Sequence, residues 1–204
     1  IRDDLVTGVQ TCALPISYSH GFRKSIKLTN TSAGSDAAAN YVRFQQRIEA
    51  QNLANSGWNY TSDTSFVTLS FWVKSSLAGT YTLSLKNIES SASEEYAFEF
   101  TLTANTWKKV THAIKGNSEL VFDNDSGEGL RVEWFPYLGT NYTTSSKTLE
   151  TWGTYYSTAQ GKDYGQNWSA TASATFEVTG VQLEVGSQAT PFEHRSYAEE
   201  LSLC

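Results

Sequence analysis

The chain has 204 residues, 39% of them hydrophobic and 18% charged, with a formal net charge of -6. That acidity argues against a phosphate-binding surface, which would concentrate Lys and Arg, and no apolar run approaches the roughly 20 residues that span a bilayer as a helix. The length suits one domain with a substantial core.

The first residues stand apart. Val6 to Ile16 is too interrupted by Thr, Gly, Gln and Pro to serve as a secretory signal. Cys12 and Cys204 lie at opposite ends, so a disulfide scaffold is not expected. From Tyr18 the pattern becomes coherent. A turn at Gly21 leads into a strand that places Ile26 and Leu28 on one face, and a small-residue loop follows from Thr31 to Asn40. From Tyr41 to Glu49, Val42, Phe44, Gln46 and Ile48 alternate with Tyr41, Arg43, Gln45 and Arg47, the pattern of a strand with one wet face. Asn52 to Thr64 reads as a loop carrying Trp58 and Tyr60.

The next four segments alternate strongly: Phe66–Lys74, Gly79–Leu85, Glu95–Thr103 and Trp107–Ile114. Short turns between them imply antiparallel pairing. Leu120 and Phe122 are the expected start of a further strand, cut by the turn Asp123-Asn-Asp-Ser-Gly127, and the pattern resumes from Leu130 to Phe135. Tyr137 to Gln166 is long, dotted with glycine and rich in aromatic residues, with an edge strand expected inside it. From Thr175 the alternation of Phe176 and Val178 slips by one after Gly180, to Val181, Leu183 and Val185. A one-residue slip moves side chains to the other face, so Gly180 marks either a β-bulge or a change of sheet. Tyr197 to Leu203 has room for one or two helical turns. The expected fold is all-β, a two-sheet antiparallel jelly-roll sandwich over residues 18–190, with a C-terminal linker or short helix over 191–204.

No catalytic signature emerges. His20, His112 and His194 fit no metal or nucleophile spacing, and the sequence has neither His-Glu-x-x-His nor Gly-x-Ser-x-Gly. His112 reads as a satisfied core residue. Glu94 and Glu95 are strand neighbours that point to opposite faces, a poor acid/base couple. The run Asp123 to Glu128 fails as a calcium loop, since glycine falls fifth and Trp134 takes the place of the twelfth-position Glu. Loop aromatics are the best candidates for chemistry, because sugars present CH faces that stack on rings whose tips can still hydrogen-bond. The candidates are Trp58, Tyr60, Tyr137, Tyr142, Trp152, Tyr155 and Trp168. The competing expectation is that most of them pack the core.

Two resemblances add to this reading. The strands Gly21–Leu28, Leu69-Ser-Phe-Trp-Val-Lys74 and Trp107-Lys-Lys-Val-Thr111, with a closing Val-Gln-Leu-Glu, are similar to those of jelly-roll carbohydrate-binding modules. The run from Val178 to Gly186, with Ala189-Thr-Pro-Phe-Glu-His-Arg-Ser-Tyr197 and Glu199 to Cys204, resembles the C-terminal signature of bacteriophage tail-fibre and related tail proteins. Val6 to Ile16 resembles a translated sequencing adapter, which implies that residues 1–17 are a non-native leader; the alternative is a genuine short strand with a turn at Pro15. The resemblances imply a non-enzymatic virion tail domain that contacts host-surface glycan, repeated in a fibre as a homotrimer. The alternatives are a ligand-free spacer or oligomerisation domain and, weakest, an accessory to a polysaccharide-degrading enzyme. They also imply a structural calcium near the closing strand with Glu184 as a ligand, against the plainer reading of a turn. Neither nucleic acid nor membrane insertion enters the expected partners.

Overall fold

The computed structural model describes residues 21, 22, 24–90 and 93–194. The leader over 1–17, both cysteines, His20 and the helical turns expected over 197–203 lie outside them. Nine strands are present among the described residues: β1 Ile26–Thr29, β2 Tyr41–Glu49, β3 Phe66–Ser75, β4 Gly79–Asn87, β5 Glu94–Leu102, β6 Lys108–Lys115, β7 Glu128–Leu138, β8 Trp152–Thr154 and β9 Thr175–Val185. They form a four-stranded sheet in the order β1-β9-β3-β6 and a five-stranded sheet in the order β2-β7-β4-β5-β8. Every pairing between these strands is antiparallel. The fold is the expected jelly-roll sandwich.

Alternation builds the core. Val67, Leu69, Phe71 and Val73 of β3 face Leu83, Leu85, Phe98, Phe100, Val132 and Trp134 of the other sheet within one buried cluster. Trp134 sits at the centre, stacked on Phe44 at 4.9 Å with 5° between the planes and meeting Phe71 edge-on at 5.7 Å. His112 of β6 stacks on Phe98 at 4.1 Å and hydrogen-bonds the Tyr96 hydroxyl. Burial lowers its pKa despite the nearby Glu150, as befits a neutral packed imidazole.

The slip after Gly180 is a bulge. The register between β3 and β9 jumps from Ser70↔Gln182 to Trp72↔Thr179, so the strand keeps to one sheet. Gly180 has φ +58°, and an added Cβ would lie 2.4 Å from the Phe22 ring. Phe22 therefore packs on bare backbone, and Phe192 and His194 close around it at 4.8 and 5.2 Å.

Two expectations change. The segment after β2 opens with a short helix, α1, Ala50–Ala54, where a loop was expected; Ala50 and Leu53 are buried. Leu120 and Phe122 are buried but form no strand. The Asn87 side chain donates to the carbonyl of Val121 and accepts from its amide, and Phe122 meets Tyr60 edge-on at 4.8 Å. These apolar residues plug the end of the sandwich, and the tight Asp123–Gly127 turn leaves no length for pairing.

Candidate functional site

The outer face of the five-stranded sheet is unusual for its charge. Strand alternation turns Tyr41, Arg43, Gln45 and Arg47 of β2, Arg131, Glu133 and Phe135 of β7, Ser84 and Lys86 of β4, and Glu95 of β5 away from the core. Register then places Gln45 beside Glu133, Glu133 beside Ser84, Arg131 beside Lys86, and Lys86 beside Glu95. Lys86 Nζ lies 2.5 Å from Glu133 and 3.7 Å from Glu95. Arg43 reaches Glu133 at 2.7 Å, Lys147 reaches Glu95 at 2.5 Å, and Arg47 and Arg131 share Glu128 at 2.8 and 2.6 Å.

A prolyl residue explains how the face is roofed. Pro136 has no N–H to donate, and the β4–β7 ladder ends one residue earlier at Thr82↔Phe135. There the Tyr164 hydroxyl accepts from the Thr82 amide and donates to the Phe135 carbonyl, while the Gln166 side chain donates to the Pro136 carbonyl. The same irregularity shifts the β2–β7 register between Val42 and Phe44, the place where Arg43 leaves β2 toward Glu133. Residues 139–165 thus return across β4 and β5. Gln160 accepts from Lys86, Tyr155 lies over the Lys86 ammonium at 4.2 Å, and β8 pairs with β5. The roof covers the β4–β5 side, the outward residues Glu133 and Phe135 of β7 are buried as well, and the β2 edge is left open.

Burial sets the electrostatics. It pushes the Lys86 ammonium below its ordinary pKa even though Glu133 and Glu95 favour the charged form. It pushes the Glu95 carboxyl up against the pull of Lys147 and Lys86. Burial also raises the Tyr155 phenol, helped by Glu95 and Glu133. The Arg131 guanidinium is raised chiefly by its hydrogen bond to Glu128.

Aromatic rings flank this floor. Tyr41 is 47% exposed, meets Tyr142 edge-on at 5.1 Å and covers the Arg43 guanidinium at 5.4 Å. From there, contacts run through Arg43, Glu133 and Lys86 to Tyr155. At the Tyr41 end the face opens into a groove of about 430 Å³ whose lining, Asn30, Ser32, Asn40, Tyr41, Trp168 and Ser169 among others, carries no charged side chain.

The seven aromatic candidates divide. Trp58, Tyr137, Trp152 and Trp168 are buried members of the core cluster, and Tyr60 packs against that cluster beside Phe122. Trp152 donates to the Lys115 carbonyl and Tyr137 to the Asp36 carbonyl. Only Tyr142 and Tyr155 border the charged face, both half-buried. Glu184 lies on the other sheet. Burial would raise its pKa, but the Thr190 amide, Gln182 and the Thr190 hydroxyl donate to the carboxylate and lower it overall. That carboxylate clamps the turn after β9, and no group of three or more His, Cys, Asp or Glu able to hold a metal occurs among the described residues. Its donor-rich surroundings do not fit a calcium, which takes six to eight oxygens.

Sequence reasoning passed over Lys86, Glu95, Glu133 and Arg131 as site residues. The available signal was charge at alternate positions inside apolar strands, Arg131 and Glu133 between Leu130, Val132 and Trp134, with the wet face of Tyr41, Arg43, Gln45 and Arg47 nearby.

No protein-family model and no curated protein sequence matches the chain. Among solved structures, it is similar to one described as "CBM4 structure and function", at 13% identity and a TM-score of 0.42, covering 79% of this chain and 71% of that one. It is also similar to one described as "Family 16 Carbohydrate Binding Module-2", at 9% identity and a TM-score of 0.36, covering 78% of this chain and 74% of that one.

Proposed function

We propose that the chain is a non-catalytic glycan-binding module whose ligand lies on the outer face of the five-stranded sheet. The carrying observation is the unbroken run from Tyr142 and Tyr41 through Arg43, Glu133 and Lys86 to Tyr155. At the open end Tyr41 and Tyr142 suit the CH faces of sugar units and the exposed Arg43 and Arg47 suit hydroxyls, while the buried Glu133–Lys86 pair beneath Tyr155 holds that floor in place. The uncharged groove beside Tyr41 extends the same chemistry. Glu95 and Glu133 support a binding role over hydrolysis. Both are buried and share the Lys86 ammonium, so neither is poised as a nucleophile or an acid toward a substrate. In a bacteriophage tail, the setting that the closing run resembles, the ligand would be a host-surface glycan presented to several copies in a homotrimeric fibre.

A ligand-free spacer is the second reading, favoured by the Phe22, Phe192 and His194 cluster that fixes how the chain leaves the sandwich. Titrating the full chain with a panel of purified neutral and acidic polysaccharides, followed by calorimetry, separates the two. Saturable binding is expected. Tyr41→Ala should weaken it by about two- to tenfold, since one aromatic stacking contact contributes about 0.5–1.5 kcal/mol. The exposed Tyr41 should leave the melting temperature nearly unchanged. Silence across the panel from folded protein, or an unaltered affinity in the variant, would reject this face as a glycan site.

A further inference from the structure

We infer that the face selects an acidic saccharide, whose carboxylate or sulfate groups are taken by the exposed guanidinium groups of Arg43 and Arg47; this rests on the glycan-binding reading above. The observation is a layering of charge. Side-chain exposure on this face is 60% for Arg47 and 32% for Arg43, against 11% for Glu128 and 0% for Glu133 and Glu95. Cations form the outer layer of the open edge and anions the inner one. The remaining carboxylate on this side of β2, Glu49, lies at the strand's end and accepts from Gln51.

The inner carboxylates are already shared. Glu133 serves Arg43, Lys86 and Arg131, and Glu128 serves Arg47 and Arg131. Each guanidinium has five N–H donors in a planar fork, and Arg43 gives its Nη1 to Glu133. An incoming carboxylate or sulfate can therefore add hydrogen bonds without breaking the floor, and the fork matches its geometry better than a neutral hydroxyl. This patch stands out on a chain of net charge -6, whose acidity would otherwise repel such a ligand. Tyr41, over the Arg43 guanidinium and half-exposed, offers ring surface to the neighbouring sugar.

The test compares four probes on the full chain at low salt: alginate, carboxyl-reduced alginate, dextran sulfate and dextran. Alginate or dextran sulfate should bind at least tenfold more tightly than its uncharged counterpart, the scale of one hydrogen bond to a charged group. Preference for alginate assigns the anion to a carboxylate, preference for dextran sulfate to a sulfate ester. The double variant Arg43→Gln/Arg47→Gln should bind the acidic probe no more tightly than its uncharged counterpart, and a retained tenfold advantage would overturn the assignment to these two arginines. Lys24→Gln, just before β1 and beside β9 of the opposite sheet, should change nothing. If the double variant fails to fold, added sodium chloride on the parent replaces it, and only the acidic probe should weaken. Equal affinity for charged and uncharged partners, or acidic binding indifferent to salt, would overturn the selection for charge and leave glycan binding standing. Silence toward all four probes would count against both.

Discussion

Trp134→Ala is expected to lower the unfolding free energy by about 3–5 kcal/mol, the range for deleting a large aromatic ring from a packed core. Trp134 is where the sheets lock together: its ring stacks on Phe44 of β2 and meets Phe71 of β3 edge-on. Removing it leaves a void with walls on three strands, β2, β3 and β7, and paired strands cannot close inward without breaking register. The indole N–H has no hydrogen-bond partner among the described residues, so its loss orphans no acceptor there and the cost is one of packing. Urea unfolding followed by far-UV circular dichroism measures it, with an unchanged m-value expected. Trp134→Phe, which keeps an aromatic face against Phe44, should lose much less. A loss below about 1 kcal/mol for the alanine variant would mean that the two sheets do not depend on this contact.

Lys86→Met should cost about 3–5 kcal/mol near neutral pH, although methionine matches the length and apolar character of the stem. Breaking a buried ion pair strands the surviving charge. Here Glu133 and Glu95, both with fully buried carboxylates, lose the ammonium between them. Arg43 and Lys147 soften the loss and place it toward the low end of the range. The deficit should shrink as pH falls through the carboxylate range. Glu95 already has its folded-state pKa raised by burial, so the folded state binds its proton more readily than the unfolded chain, and that contribution grows with acid. The double variant Lys86→Met/Glu133→Leu should recover much of the loss, since apolar replacement of a whole buried pair is often neutral. A double-mutant cycle reads the coupling directly. Additive costs would show that the two groups do not interact.

The strands were legible because each has one apolar face: β2 spans Tyr41–Glu49 as the alternation predicts, and β3 to β6 fall within two residues of their expected ends. The Gly180 slip was legible as well, because period two leaves a bulge or a change of sheet as the explanations. Other features have no such periodicity. Leu120 and Phe122 are apolar at strand spacing, yet the neighbouring turn and the Asn87 clamp decide their conformation, and those contacts are distant in sequence. Loop aromatics are equally ambiguous. Trp152 and Tyr155 are three residues apart, and one enters the core while the other roofs Lys86. The charged face was half visible in β2. Its other half depended on Lys86, one residue past the expected end of β4, and on which strands become neighbours, which alternation within a strand does not encode.

The hydroxyl of Tyr164 leaves the sheet with a built-in clock. The Thr82 amide sits inside a central strand but donates to that side chain, which belongs to the roof. Amides such as those between β4 and β5 exchange with deuterium only when strands separate. Thr82 is expected to exchange if the 139–165 segment lifts, without the sandwich having to open. Comparing its exchange rate with that of its strand neighbours would time the roof's motion in the intact molecule, and a ligand that pins the roof would slow that amide first.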